Sequence, residues 1–331
     1  MLRIGILGAA KIAPKAIIAP AAKRDDCVAA AVASRDAARA AAFAHAHGVK
    51  AIETDYGALI GRPDIDLVYN ALPPSRHADL SIAALRAGKA VLCEKPFAMD
   101  AAEARAMTEA SRETGRPLLE AFHHRFHPAF RRVLTLVRDG AIGAVRRIDA
   151  RFTVPIAHRE GELRHTAALG GGALMDLGCY PLHWARTIAG AEPRIVAASA
   201  VVGAQPDVDL AMTATLDFPT GAEATVHCSM EDAAPRDAAL FVYGKAGVLR
   251  MTNPVHPSHG HAISLETNGA VKMETVDGGP TYDYQLDHVL AVMAGRETPL
   301  TGGGDAVANM AAIDSIYEAA GLLPRGWLRG R

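Results

Sequence analysis

Short apolar runs alternate with helical patterns through the first third of the chain, and this alternation limits the fold more than any other feature. Each helical pattern is amphipathic or Ala-rich and is bounded by Gly or by capping residues. Repeated β-α units of this length predict a doubly wound parallel sheet with helices on both faces. The predicted strands are Leu2 to Leu7, Cys27 to Ala33, Asp66 to Leu72, Lys89 to Cys93 and Pro117 to Phe122.

The pattern changes after residue 145 to an alternation of apolar and polar residues. Period two over several consecutive segments predicts a second α+β domain, with an open and mainly antiparallel sheet that is covered on one face. We expect domains at 1–122 and 123–331, with the last two helices, Tyr284 to Ala294 and Asp305 to Ala320, bridging or covering them. The predicted strands of the second sheet are Arg147 to Val154, Arg194 to Val202, Val208 to Phe218, Ala222 to Met230 and Ala238 to Gly244.

Composition narrows the class of partner. The formal net charge is −1 and half of the 331 residues are hydrophobic, which gives no electrostatic footprint for nucleic acid or an anionic membrane. No apolar run approaches the roughly 20 residues that span a bilayer. The four cysteines form no CxxC pair, which favours reduced thiols. We therefore expect a soluble cytoplasmic protein that acts on a small molecule.

No metal site is expected from the histidine-rich segments. A metal site normally combines ligands on rigid elements with an acidic or cysteine partner, and Pro and Gly make the segment 256–261 a loop. The histidines concerned are His123, His124, His127, His256, His259 and His261.

The first strand leads into a glycine turn that has the placement of a dinucleotide fingerprint. A strand, a tight turn and a helix start present free amides to a pyrophosphate. The fingerprint is degenerate, since Ala10 and Ala13 stand at two of its three glycine positions, and a strand-turn-helix of this kind is also an ordinary packing solution. The predicted cofactor contacts here are Gly8, Ala10, Lys11 and Ile12.

The end of the second strand indicates which dinucleotide is bound. An acidic residue at this point would hold a ribose hydroxyl, but Ser34 and Arg35 come first, and an arginine accommodates a 2′-phosphate. NADP(H) is therefore favoured over NAD(H). In the alternative interpretation, Arg35 is a solvated residue at a helix start and Asp36 is the helix N-cap.

Two motifs predict the reacting centre. Lys95 follows the strand that ends at Cys93, at the sheet edge where ligands bind in such folds. Asp176 and Tyr180 follow a glycine run and are spaced to share one helix face. Near a nicotinamide, these three catalytic candidates would supply what hydride transfer to or from a carbonyl requires. Alternatively, Asp176 is an N-cap and Tyr180 a core aromatic.

Other residues are candidates because of their positions beside these motifs. The further predicted cofactor contacts are Ala71, Leu72, Pro73, His77, Glu94, Lys95, Pro96 and Arg125. In an equally good interpretation, His77 only packs at the start of its helix. The substrate contacts are His123, Phe152, His158, Arg164, His165, Asp176 and Tyr284, several of which are equally compatible with ordinary surface positions.

The chain resembles the Gfo/Idh/MocA oxidoreductases over nearly its whole length. The resemblance rests on residues 8–13, 71–77, 87–96, 125–128 and 171–180. It implies a Rossmann domain, a second domain that often dimerises, and Lys95 near the nicotinamide with Asp176 close by. Tyr180 stands where the inositol dehydrogenase branch has histidine. A tyrosine at this position is similar to the branch of dimeric dihydrodiol dehydrogenase, NADP-dependent xylose dehydrogenase and glucose-fructose oxidoreductase.

This resemblance implies NADP(H)-dependent hydride transfer on a sugar, cyclic polyol or trans-dihydrodiol. Tyr180 would be the acid/base, since a nearby ammonium such as that of Lys95 lowers the pKa of a phenol from its usual value of about 10. Lys95 would be its electrostatic partner or, alternatively, itself the proton donor. Asp176 would orient the substrate hydroxyl or Lys95. Reduction of keto-sugars or imines, and a non-catalytic NADP(H) sensor, are the alternatives. An exposed face on the second sheet suggests a homodimer or homotetramer.

Overall fold

A computed structural model describes residues 1–159, 161–205 and 207–328, and the chain divides into two compact units. The first unit combines Met1–Phe122 with Tyr282–Val307. The second combines His123–Thr281 with the chain from Ala308 onward. Over these described ranges, no helix has both the length and the apolar character needed to cross a membrane.

The first unit is built on a six-stranded parallel sheet in the order β3-β2-β1-β4-β5-β6. This order reverses between β1 and β4, which is the switch point where doubly wound sheets bind ligands. The prediction of a doubly wound parallel sheet is thus confirmed. The strands are β1 (Leu2–Leu7), β2 (Cys27–Ala33), β3 (Ala51–Glu53), β4 (Leu67–Asn70), β5 (Ala90–Cys93) and β6 (Leu118–Glu120).

Local sequence explains the helices of this unit. The Asp36 side chain caps α2 by accepting from the Arg39 amide, and Asp100 caps α5 by accepting from Glu103. Both helices end at a left-handed glycine. The helices are α1 (Ala19–Ala22), preceded by a π-helical turn Pro14–Ile18, then α2 (Ala37–His47), α3 (Tyr56–Ile60), α4 (His77–Arg86) and α5 (Ala101–Thr114).

The second unit contains an eight-stranded sheet in the order β14-β13-β12-β11-β7-β10-β9-β8. Neighbours run antiparallel except β7 and β10, which are parallel, so the predicted mainly antiparallel sheet is confirmed. The last three strands were not among those predicted. The strands are β7 (Val145–Thr153), β8 (Arg194–Val202), β9 (Asp209–Asp217), β10 (Glu223–Ser229), β11 (Asp237–Gly244), β12 (Gly247–Thr252), β13 (Ile263–Thr267) and β14 (Ala270–Glu274).

One face of this second sheet is covered and carries the core. Along β11, Leu240 and Val242 are fully buried, whereas the alternate residues Phe241 and Tyr243 are half-buried. A helix that begins at Cys179 packs against β7 and β10. The helices of this unit are α6 (Pro128–Arg138) and α7 (Cys179–Ala189, continuing a π-helical turn Leu174–Gly178). Of the last two helices, α8 (Thr281–Met293) belongs to the first unit from Tyr282 onward, and α9 (Gly304–Ala319) begins in the first unit and continues in the second.

Candidate active site

The turn after β1 has the shape that a dinucleotide turn needs. Gly8 adopts a φ of +93°, and its amide donates to the Ala33 carbonyl 2.9 Å away. This positive φ favours glycine, and a Cβ here would also lie 2.9 Å from the end of the Leu72 side chain, which would have to shift. Lys11 is exposed and Ile12 is half-buried in the turn that leads into the first helix. This backbone can approach a phosphate closely.

Beside this turn lies the end of β2, where a cationic edge replaces the acidic residue of an NAD site. Ser34 is buried and Arg35 is exposed. The carboxylate of Asp36 accepts from the Arg39 amide at 3.0 Å, so it serves as the helix N-cap. The Arg39 guanidinium donates to the Ala9 carbonyl at 3.0 Å, which places a second arginine at the phosphate turn. Sequence reasoning missed Arg39, although its spacing from Arg35 was the available signal.

The segment after β5 holds Glu94 and Lys95. The Tyr69 hydroxyl donates to Glu94 at 2.5 Å. Burial raises the pKa of Glu94, while that hydrogen bond and the charges of Lys95 and Lys15 oppose the rise. Lys95 is half-buried and lies in the first unit. Glu94 therefore precedes the candidate catalytic ammonium as a carboxyl whose pKa lies above its usual value.

His77 ties together two loops of the first unit. Its Nδ1 lies 3.0 Å from the Pro96 carbonyl, and its Nε2 lies 2.8 Å from the Leu72 carbonyl. The ring is fully buried, and burial lowers its pKa although both carbonyls oppose the shift. These contacts position the loop after β4 against the loop that carries Lys95. They favour the packing interpretation of His77, and its contact with the cofactor stays a prediction.

In the second unit, a buried ion pair fixes the glycine segment that precedes Asp176. Gly172 adopts a φ of +128°, and a Cβ there would collide with the Asp209 carboxylate. Asp209 is bound by Arg325 at 2.5 Å and accepts from the Leu174 amide at 2.7 Å. Arg325 also donates to the Gly171 carbonyl at 2.6 Å. The π-helical turn therefore begins from a fixed point, and such turns are frequent at functional sites.

Asp176 is paired with an arginine from the loop before it. Arg164 Nε donates to Asp176 Oδ2 at 2.7 Å, and Arg164 Nη1 lies 3.0 Å from Glu162. The charge of Asp176 raises the pKa of Arg164 further. Gly178, not Asp176, precedes α7, so the N-cap alternative for Asp176 is wrong. Nothing in the local sequence pattern pointed to Arg164 as the partner of this carboxylate.

Tyr180 is buried among aromatic rings of the second unit. Its hydroxyl lies 3.2 Å from Nε2 of His123. Phe152 packs edge-on at 5.6 Å between centroids, and His124 lies at 5.4 Å. Burial holds the pKa of His124 well below its usual value, so that ring is neutral. Two predicted substrate contacts, His123 and Phe152, thus adjoin the predicted acid/base.

The other predicted contacts are spread over both units. His165 is buried, with Nε2 2.8 Å from the Ile156 carbonyl, and its ring lies 5.2 Å from that of exposed His158. Half-buried Tyr284 belongs to the first unit, whereas half-buried Arg125 belongs to the second. Among the candidates, Asp176, Tyr180, His123 and Phe152 therefore share the second unit, and Lys95 belongs to the first.

All four cysteines are buried free thiols. Burial raises the pKa of Cys93 and Cys228 well above the usual thiol value, which disfavours a nucleophilic thiolate at either. Within the ranges that the structure describes, no three His, Cys, Asp or Glu residues are grouped to hold a metal ion. The histidine loop instead stacks its rings, with His256 lying on His123 at 5.1 Å.

Comparison with known proteins finds two matching family models. Residues 2–122 match an oxidoreductase family with an NAD-binding Rossmann fold, and residues 130–250 match the GFO/IDH/MocA C-terminal domain. The chain is 34% identical to D-xylose 1-dehydrogenase (NADP(+)) 2 of Haloferax volcanii, covering 96% of this chain and 97% of that one. It is 39% identical to dTDP-3,4-didehydro-2,6-dideoxy-alpha-D-glucose 3-reductase of Streptomyces violaceoruber, covering 97% and 96%.

A solved structure gives the same result. KijD10, a 3-ketoreductase from Actinomadura kijaniata in complex with NADP and TDP-benzene, superposes with a TM-score of 0.87 at 30% identity, covering 96% of this chain and 97% of that chain. Both domains of the present chain and nearly all of its length are matched. The protein is therefore an oxidoreductase that belongs to the Gfo/Idh/MocA family.

Proposed function

We propose that the protein is an NADP(H)-dependent oxidoreductase that interconverts an alcohol and a carbonyl on a sugar, cyclic polyol or trans-dihydrodiol. The observation that carries the proposal is Tyr180, a buried phenol whose hydroxyl is hydrogen-bonded to an imidazole and which follows Asp176 by four residues. A phenol in this setting can move a proton to or from a substrate oxygen.

The cofactor residues fit NADP(H). The turn at Gly8 has no side chain to obstruct a pyrophosphate. Ser34, Arg35 and Arg39 form the edge that would hold the 2′-phosphate, and the Asp36 carboxylate is occupied in capping a helix. The bound cofactor supplies or accepts the hydride at its nicotinamide ring. Leu72, Pro73, Glu94 and Pro96 are proposed to border the ribose and nicotinamide end, with Ala71 and Arg125 as further contacts.

The reacting residues have distinct roles in this proposal. Tyr180 exchanges a proton with the substrate oxygen, and the Lys95 ammonium stabilises its phenolate. Asp176, held by Arg164, orients the substrate hydroxyl. Phe152 is proposed to contact the carbon skeleton of the substrate beside Tyr180.

Reduction of a keto-sugar is the second candidate. Relatives named as ketoreductases match nearly the full chain, and the same proton and hydride steps run in reverse for this reaction. A sensor without chemistry is less consistent with a chain that keeps Lys95, Asp176 and Tyr180 together.

Two measurements on the full chain test the proposal. Fluorescence titration is expected to show NADPH binding more tightly than NADH. A panel of aldoses, cyclic polyols and dihydrodiols with NADP⁺, and of keto-sugars with NADPH, is expected to reveal turnover of one class by nicotinamide absorbance. Equal or tighter binding of NADH would overturn the cofactor assignment, and absence of turnover across the whole panel would overturn the activity.

Assembly and location complete the proposal. Exposed apolar side chains lie on edge strands of the second sheet, Val196, Val201 and Val202 on β8 with Val271 and Met273 on β14. We propose that this sheet forms a homodimer or homotetramer, because leaving such residues in water is unfavourable. The cytoplasm is proposed as the location because the four cysteines form no CxxC pair, which favours reduced thiols. Light scattering of the purified chain gives the mass, and a monomer would contradict this assignment.

A further inference from the structure

The hydroxyl of Tyr180 belongs to a short hydrogen-bonded series within the second unit. It lies 3.2 Å from Nε2 of His123, and Nδ1 of His123 lies 2.7 Å from the Thr281 hydroxyl. Tyr180, His123 and Thr281 are only 4%, 2% and 1% exposed. In such a shielded setting, each hydrogen bond is stronger than it would be in water and its loss is more costly.

The orientation of the His123 ring is fixed by packing. His256 stacks on its face with centroids 5.1 Å apart and planes inclined by 16°. His124 packs edge-on against it at 6.3 Å. Rotating the His123 ring would break this stack together with both hydrogen bonds, so Nε2 stays directed at Tyr180.

The ring nitrogen of His123 that carries the proton decides whether the Tyr180 hydroxyl accepts a proton from a substrate or donates one to it. A neutral imidazole carries its proton on one nitrogen only. When Nδ1 donates to Thr281, Nε2 accepts the phenol hydrogen, and the oxygen of Tyr180 can accept a substrate proton. When Nε2 instead donates to the Tyr180 oxygen, the phenol can give its hydrogen to a carbonyl.

We propose that His123 is a positioning residue that holds the Tyr180 hydroxyl and takes up and returns its proton in each cycle. This inference rests on the function proposed above. It replaces direct substrate contact as the main role of His123, because both ring nitrogens already face protein hydroxyls.

The proton transfers balance in both directions. In alcohol oxidation, the substrate O–H bond breaks and its proton passes to the Tyr180 oxygen, while the phenol proton passes to Nε2 of His123. The C–H electron pair leaves with its hydrogen as hydride to the nicotinamide. The imidazolium then returns its proton to solvent before the next cycle. In reduction, every transfer is reversed: Tyr180 gives its proton to the substrate oxygen, and the His123 imidazolium donates a proton to the Tyr180 oxygen.

Other titratable groups surround His123, and their placement bears on any pH profile. His124 and Arg125 lie on its own segment, Tyr180 and His183 lie on α7, and His256 lies on the stacked loop. His124 is kept neutral by burial. His123 is hydrogen-bonded to the hydroxyl of Tyr180 at 3.2 Å.

Two substitutions at His123 separate holding the hydroxyl from carrying the proton. His123→Gln can keep a hydrogen bond near the Nε2 position but cannot take up a proton at neutral pH. His123→Phe keeps a ring for the stack and removes both hydrogen bonds. His259→Gln is the matched control, because His259 is exposed and stacks on His256 without a hydrogen bond to Tyr180 among the described contacts.

Steady-state kinetics over a range of pH give the first test. Both His123 variants are expected to bind NADPH as wild type and to keep KM within about threefold, while kcat falls by about 100-fold. The wild-type acid limb of kcat is expected to flatten in both, and His259→Gln is expected to behave as wild type. A wild-type kcat and pH profile in His123→Gln would overturn proton uptake by His123, and the same result in His123→Phe would overturn the whole inference.

A second readout needs no substrate and so separates this inference from the proposed function. Ultraviolet absorbance follows tyrosine ionisation in the chain without cofactor. His123→Phe is expected to shift the titration of one tyrosine, and the shift is expected to vanish in a Tyr180→Phe background. An identical shift in both backgrounds, or none in either, would overturn the coupling. If instead wild type fails to turn over any substrate while the coupling is present, the proposed function alone fails.

Discussion

Replacing Arg325 with Met is expected to destabilise the second unit by about 3–5 kcal/mol. Arg325 and Asp209 are both fully buried, and their ion pair has a 2.5 Å separation. Arg325 also donates to the Gly171 carbonyl at 2.6 Å. Met fills a similar volume but leaves the Asp209 carboxylate without its cation, and a buried unpaired charge is strongly unfavourable.

The magnitude follows from the contacts that are lost and those that stay. The variant loses the ion pair with Asp209, the hydrogen bond to the Gly171 carbonyl and a longer one, at 3.4 Å, to the Leu323 carbonyl. The two short bonds are worth about 1.5–3 kcal/mol each, which agrees with the range given for breaking a buried pair. Asp209 keeps the Tyr317 hydroxyl at 2.9 Å and the Leu174 amide at 2.7 Å. Burial already raises the pKa of Asp209, and the Arg325 charge opposes that rise. In the variant the carboxyl therefore takes up a proton at higher pH, so the deficit shrinks as the pH falls.

Urea unfolding of wild type, Arg325→Met, Asp209→Leu and the double variant measures this effect. The double variant is expected to recover much of the loss, since two apolar side chains leave no unpaired charge. Arg194→Met is the control, because its ion pair with Asp217 is largely exposed and is expected to leave the free energy of unfolding nearly unchanged. A loss below about 1 kcal/mol in Arg325→Met would refute the reasoning.

Three further predictions concern single side chains. His127 Nδ1 caps α6 by accepting from the Ala129 amide, and burial lowers its pKa to about 4. A histidine in the unfolded chain has a pKa near 6.5, so between about pH 6.5 and 4 the unfolded chain binds a proton that the folded chain does not. Lowering the pH over this range is therefore expected to reduce the free energy of unfolding by up to about 3 kcal/mol through His127. His127→Asn keeps the cap acceptor but takes up no proton, so its free energy of unfolding in urea is expected to fall less than that of wild type over this pH range. An equal fall in variant and wild type would contradict this. Arg35→Gln is expected to weaken NADPH binding by about 10- to 100-fold in fluorescence titrations and to spare NADH, whereas equal losses for both would argue against a 2′-phosphate contact. Arg164→Met removes the ion pair that orients Asp176 and is expected to raise KM about three- to tenfold with a smaller effect on kcat, and an unchanged KM would count against that role.

Local patterns predicted the first unit well because its buried strands are continuous apolar runs and its longer helices begin at capping residues and end at glycine. The bounds of β2 at Cys27–Ala33 and of α2 at Ala37–His47 agree with those expected from the apolar run, the Asp cap and the closing glycine. The elements that were missed carry weak local signals. β3 has three residues, and all of β14 except its last residue is exposed, so neither shows an apolar run or a clear alternation.

Partners that are distant in sequence could not be predicted in this way. The parallel pairing of β7 with β10 joins segments on either side of α7 and has no local signature. The same holds for the site, where Tyr180 meets His123 across 57 residues and Asp209 meets Arg325 across 116. The motif that contains Asp176 and Tyr180 was visible in the sequence, whereas the groups that orient these two residues appeared only with the fold.

The roles of Lys95 and Tyr180 are tested by comparing wild type, Lys95→Met and Tyr180→Phe at saturating NADP⁺ or NADPH with the substrate that the panel identifies. Cofactor binding is measured in parallel by fluorescence. Both variants are expected to keep a cofactor affinity within about threefold of wild type and to lose kcat by at least about 100-fold, because each lacks a group that stabilises or moves the proton. Wild-type turnover in both variants would contradict the assignment of Lys95 and Tyr180 as the reacting pair.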